Sequence, residues 1–233
     1  MIQSLPTRDT WAEAAADRLA GALAEALTAN GRALFAGSGG STPSPIYARL
    51  AQADLDWTKV TATLVDERYV PEASPASNAA LLKQTLLTGP AAAVRFIPLY
   101  SPAVTVDRAA ALASQALAAE GRPLDAVLLG MGEDGHICSM FPGSPTLTTL
   151  LTPSLKPAVY GVPAGRDGAA PPQERLTLNL PWLVTARCVV LALTGAKKRA
   201  VFERKAAGDP AVSPIAALIA ANAPLEVIWT EAD

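Results

Sequence analysis

The chain has one histidine, His136, and two cysteines, Cys138 and Cys188, among 233 residues. So few soft ligands cannot assemble the tetrahedral His/Cys set of a zinc site. Two cysteines do not make a disulfide framework; a single bridge stays open, and reduced cytoplasmic thiols are the expectation. A basic surplus is missing as well, since 19 Lys+Arg face 21 Asp+Glu for a formal charge of −2. That balance argues against a nucleic-acid or membrane partner, so an acidic ligand would have to be met by cations gathered locally. No apolar run reaches the roughly 18 residues of a membrane span. The opening "MIQSLPTRDTWAEAAADRLAGALAEAL" mixes acids and arginines among its hydrophobics, unlike a secretory leader.

What is present is a chain that is 50% hydrophobic and 17% charged. That composition and length fit a soluble cytoplasmic protein with one domain over residues 1–233. Two periodicities alternate along it. Ala15, Leu19, Leu23 and Leu27 recur every four residues within a helix expected over 11–29, with Asn30-Gly31 as its stop. "RALFAG" then reads as a buried strand running through "SGGSTPSPIYARL" into a second helix. "KVTATLV" is the next strand, and residues 66–77 read as a polar loop before the helix "NAALLKQTLL". "VRFIPLY" is expected at a sheet edge, because Pro98 cannot donate to a ladder. The helix "VDRAAALASQALAAE" closes at Gly121, and "LDAVLLG" is apolar enough to be buried on both faces of a parallel sheet.

Beyond Gly143 a proline-rich stretch leads to the strands "RLTLNL" and "CVVLALTG". The helices "AKKRAVFERKAA" and "SPIAALIAAN" and the strand "LEVIWT" complete the chain, and residues 161–172 read as a surface loop or lid. Strands alternating with helices imply an α/β domain with a largely parallel sheet. Ligands of such sheets bind beyond the carboxyl ends of the strands. Four expected strand ends carry polar or glycine clusters: 37–42, 66–68, 130–136 and 195–198.

"GSGGSTP" offers glycine N–H groups, the Ser41 and Thr42 hydroxyls and a following helix, a combination suited to phosphate. The competing reading is a tight turn in which Ser41 or Thr42 caps the helix. Neither a Walker lysine nor G-x-G-x-x-G spacing is there. "VDERYVP" places Asp66, Glu67 and Arg68 past a strand, either as an exposed turn or as an arginine held by carboxylates toward an anionic or carbonyl-bearing substrate. "GMGEDGH" sets Asp134 two residues before His136, where a carboxylate can orient an imidazole and fix its tautomer. Cys138 reads as a small buried residue of a short helix with Met140 and Phe141, not as a nucleophile. Arg175 opens a strand and Lys198 lies in the first turn of a helix, a position that an anion would favour; solvated surface charge is the alternative for both.

These segments, "SGGSTP", "VDERYVP" with Ser77-Asn78, "GMGEDGHICSMFPG", "RLTLNLP" and "LTGAKKRA", occur in an order resembling the non-propeller 6-phosphogluconolactonases. The resemblance spans about residues 33–229, and its GMGxDGHxxSxFPG element is the most specific part. It implies a three-layer α/β/α fold, a modified dinucleotide-binding sheet shared with glucosamine-6-phosphate isomerases and deaminases, and no organic cofactor or metal. It further implies hydrolysis of 6-phospho-D-glucono-1,5-lactone, a step of the oxidative pentose phosphate pathway. On this likeness His136 would be the general base, Asp134 its orienting partner and Arg68 a substrate-contacting cation. Gly39, Gly40, Ser41 and Thr42, with Arg175 and Lys198, would hold the phosphate, and Asp66 would border the substrate. The expected partner is thus a phosphorylated sugar lactone, with monomer and homodimer both open.

Two rival readings remain. Hexosamine-6-phosphate deaminases carry a glutamate after the DGH histidine, whereas "ICSMFPG" has no carboxylate, and "DER" stands where they have "DEY". A silent sugar-phosphate sensor would be expected to add a DNA-binding region and a basic patch, for which the chain has neither length nor charge.

Overall fold

A computed structural model describes residues 2–40, 42–165 and 171–232. Strand β1 (Ile2–Leu5) precedes helix α1 (Arg8–Asn30). Thr7 and Thr10 form a reciprocal capping box at the helix start, and Gly31, at φ 69°, ends it in the left-handed conformation. Trp11, Ala15, Leu19, Leu23 and Ala26 make its buried face, and the Trp11 indole donates to the Ile228 carbonyl at 3.1 Å.

Then come β2 (Ala33–Gly37), α2 (Ser44–Leu50), β3 (Val60–Leu64), β4 (Asp66–Arg68) and α3 (Asn78–Thr85). These lead to β5 (Arg95–Phe96), α4 (Val106–Ala118), β6 (Ala126–Leu129), α5 (Leu147–Leu150) and β7 (Val159–Val162). The last elements are β8 (Arg175–Leu178), α6 (Leu180–Val184), β9 (Val189–Thr194), α7 (Gly195–Ala206), α8 (Pro214–Ala220) and β10 (Leu225–Thr230).

Seven strands form one sheet in the order β1-β10-β9-β6-β2-β3-β5, every pairing parallel. Strands β2, β3, β6 and β9 are buried along their whole length because helices flank the sheet. The expected α/β/α layering around a parallel sheet is the observed architecture. From β2 the chain steps to β3 and β5 on one side, then crosses through α4 to β6 on the other. The switch point therefore lies between β2 and β6, where their carboxyl-end loops diverge and open a crevice.

Three sequence expectations need correction. Residues 66–68 are not loop: they form β4 of a separate antiparallel sheet, ordered β4-β8-β7. "RLTLNL" belongs to that same small sheet only as far as Leu178, because Pro181 lies in the first turn of α6. Within the expected 161–172 loop, Gly161 and Val162 end β7 and the Gly165 N–H donates to the Pro171 carbonyl at 2.9 Å; residues 166–170 lie outside the described residues. Among the described residues no helix is long and apolar enough to cross a membrane. Cys138 and Cys188 are both free and buried, so the open question of a bridge closes.

Candidate active site

A cleft of about 220 Å³ opens at the β2/β6 switch point. Loops from both sheets line it. The β2 loop contributes Gly39, Gly40 and Thr42, and β4 contributes Asp66 and Arg68. The loop after β6 supplies Gly130, Gly132 and His136, while β8 and α7 supply Arg175 and Lys198. All four clusters expected at strand ends thus meet in one place. Ser41 lies outside the described residues. Asp134 stands behind His136 and does not itself line the cleft.

His136 Nδ1 lies 2.6 Å from Asp134 Oδ1, and the same oxygen accepts the His136 N–H at 3.1 Å. The second bond locks the carboxylate onto the backbone of the residue it orients. Burial pushes Asp134 up, yet the hydrogen bond and charge of His136 and the backbone N–H bonds outweigh it, leaving the acid below its ordinary range. A carboxylate facing Nδ1 selects the Nδ1–H tautomer and leaves the Nε2 lone pair free for a proton. Phe141 packs against the ring with centroids 4.5 Å apart, and a Cβ on Gly132 would overlap it. Cys138 is buried as expected, but in a turn at φ 51° and not in a helix; burial raises its thiol well above the ordinary range, so it is no thiolate nucleophile.

The two arginines face each other. Arg68 and Arg175 are register partners on β4 and β8, an arrangement that like charges disfavour. Among the described residues, the Nε atoms of both are buried without a partner. Burial lowers the Arg175 guanidinium; Asp66 and Glu67 draw it up, and Arg68 pushes it further down. Two such cations at the edge of one cleft form a site that an anion would relieve.

Arg68 is not held by carboxylates, as one reading of "VDER" had it. Its guanidinium donates to the Ala76 carbonyl, and Glu67 turns instead toward the start of α3. Nor is "DER" an exposed turn, since Asp66 and Glu67 are buried. Asp66 accepts from the Ser139 hydroxyl at 2.6 Å. In α7, Lys197 pairs with Glu133 at 2.7 Å outside the cleft, which leaves Lys198 as the cation that points to it. The capping alternative for the β2 loop also fails for Thr42: α2 starts after Pro43 with no side-chain cap.

Residue Ser38 was missed in the sequence. It lines the cleft with a buried hydroxyl that has no partner among the described residues, and Tyr47 donates to its carbonyl at 2.7 Å to prop the loop. Asn78, noted only as part of a motif, lines the cleft too. A serine before two glycines was the available signal for the first; nothing local pointed to the second.

Comparison with known proteins agrees with this fold. The profile described as "Glucosamine-6-phosphate isomerases/6-phosphogluconolactonase" matches residues 6–229. The chain belongs to this family. A 6-phosphogluconolactonase of Rhizobium meliloti is 44% identical over 220 residues, covering 94% of this chain and 93% of the relative. One from Mesorhizobium japonicum is 41% identical, with 97% and 93% covered. The crystal structure of a 6-phosphogluconolactonase from Shewanella baltica superposes with a TM-score of 0.90 at 33% identity, covering 99% of this chain and 97% of that one. The His–Asp pair and the facing arginines are the chemistry this chain places at its own switch-point cleft.

Proposed function

We propose that the protein hydrolyses 6-phospho-D-glucono-1,5-lactone to 6-phospho-D-gluconate as a single domain over residues 1–233, without metal or organic cofactor. One observation carries the reading: a carboxylate-oriented imidazole and a group of under-paired cations line the same cleft. The relatives named as lactonases support the choice of reaction.

His136 acts as general base. Its Nε2 removes a proton from water as the water oxygen bonds to the lactone carbonyl carbon, and Asp134 holds the resulting imidazolium. Negative charge gathers on the carbonyl oxygen, where N–H groups of the glycine loops stabilise it. As that tetrahedral species collapses, the bond from carbon to ring oxygen breaks and the imidazolium proton passes to the departing oxygen. The ring opens to a free hydroxyl and a carboxylic acid, which ionises in water.

Gly39, Gly40, Ser41, Thr42, Arg68, Arg175 and Lys198 hold the phosphate, and Asp66 borders the sugar from the cleft floor. Binding the dianion at that end fixes the lactone carbon over His136, which supplies orientation and not bond-making. The test is stopped-flow hydrolysis of freshly prepared lactone, with spontaneous opening subtracted. Wild-type acceleration with a loss of about 10²-fold or more in kcat for His136→Ala is the expected result. Equal rates for the two proteins would remove His136 from the reaction, and ammonia released from glucosamine 6-phosphate would point to deamination instead.

A further inference from the structure

The Asn78 carboxamide sits where the two sheets meet. It is buried, yet it borders the cleft. Its Nδ2 donates to the Asp66 carbonyl at 2.9 Å and to Asp66 Oδ1 at 3.3 Å. On its other side it fills the space that a Cβ on Gly39 would need, so the two would overlap. Asp66 opens β4, the strand that presents Arg68 opposite Arg175. Gly39 belongs to the anion loop that follows β2 of the main sheet. A single side chain therefore spans the arginine pair's sheet and the glycine loop.

Asn78 is itself clamped. Glu67 is wholly buried, and its Oε1 accepts the N–H groups of Arg68 and Asn78, each at 2.7 Å. Its Oε2 accepts the Ala79 N–H at 2.8 Å and the Ser77 hydroxyl at 3.0 Å. Two of these donors are otherwise open N–H groups at the start of α3, joined by the Ser77 hydroxyl and one N–H from β4. Charge-assisted bonds of this kind hold the helix start against the strand with little freedom to shift. Burial pushes the Glu67 acid up, and its four donors pull it back.

We infer that Asn78, clamped by Glu67, is a positioning residue that sets the separation between the arginine pair and the glycine loop, and with it the fit of the substrate's phosphate. It takes no part in bond-making. Any amide of this size could fill the space under Gly39; only a donor facing Asp66 ties the two sheets together. The inference rests on the lactonase reading for its kinetic readout, and on the anion site alone for its binding readout.

The test compares Asn78→Ala with Asn78→Asp. Asp is isosteric, but it sets a second carboxylate against Asp66, where a like charge is repelled until one proton is shared. The other ionisable groups around that pair are Glu67 and Arg68 on β4, Arg175 on β8, Tyr47 on α2 and Cys138. They are the same in both variants, so the ratio of the two isolates the new carboxylate.

Asn78→Ala should lower kcat/KM about tenfold or more, mainly through KM, because misplacement of the phosphate costs orientation. Asn78→Asp should be worse than Ala, because the new carboxylate sets a like charge against Asp66 where the amide donated. Calorimetric titration with inorganic phosphate should show the same order of affinities. Circular dichroism checks that each variant is folded; Asn78→Ser, which keeps a hydroxyl donor, replaces any that is not and should fall between Ala and wild type. Wild-type kinetics and phosphate affinity in Asn78→Ala would overturn the inference, as would Asp and Ala variants that are equally impaired. A wild-type protein with no lactonase rate would instead sink the proposed reaction, and the phosphate titrations would still decide the role of Asn78.

Discussion

His136 owes its placement to three neighbours that lie within five residues of it: Asp134 on Nδ1, Phe141 against the ring, and Gly132, whose missing Cβ leaves room for the ring. Asp134→Asn keeps the shape but loses the negative charge that holds the imidazolium, and its amide can present a donor to Nδ1. Its kcat should fall by about 10²-fold or more with KM little changed, measured by the same stopped-flow assay. The sign of the acid shift makes a second outcome specific. Because Asp134 is held below the ordinary carboxylate range, it stays ionised where an unperturbed carboxyl already takes up its proton. The acid limb of kcat/KM in the wild type should therefore carry no inflection from Asp134 within the ordinary carboxylate range, and one found there would contradict the pairing. The pairing of Asp134 with His136 was readable in "GEDGH" because both residues lie on one short glycine path. Glu67 was not: its partners, Ser77, Asn78 and Ala79, are ten or more positions away and come to it only when β4 docks on α3.

At the scale of elements, α7 places Lys198 in its first turn, where a cation opposes the positive end of the helix dipole. No acid in that turn offsets it, and Lys197 spends its charge on Glu133. Lys198→Ala should therefore raise KM several-fold or more while leaving kcat nearly intact, since the lysine meets the phosphate end and not the reacting carbon. A normal KM in that variant would take Lys198 out of the phosphate site. The major helices and the buried strands were legible from apolar period, caps and glycine stops. β4, β7 and the antiparallel partnership of β8 were not. Three- and four-residue strands with mixed burial carry little pattern of their own, and their pairing is made across the chain. In that sheet the strand carrying Arg68 was expected as loop, whereas the strand that Arg175 opens was expected as one.

For the whole molecule, the chemistry proposed needs only the protein's own side chains and backbone N–H groups, and water. Dialysis against a chelator should leave the lactonase rate unchanged when the wild-type protein is assayed before and after; a reversible loss restored by a divalent ion would reopen metal catalysis. The apolar periods, glycine turns and polar strand ends along the chain determined an α/β layered fold with its ligand groups at the carboxyl ends of a parallel sheet. They did so because helix and strand patterns, caps and the spacing of Asp134 and His136 are local. Only the tertiary structure decided that Arg68 faces Arg175, that Glu67 serves α3 and that Asn78 lies under Gly39. Those contacts depend on how a small antiparallel sheet packs against the large parallel one, and no run of neighbouring residues encodes that distance.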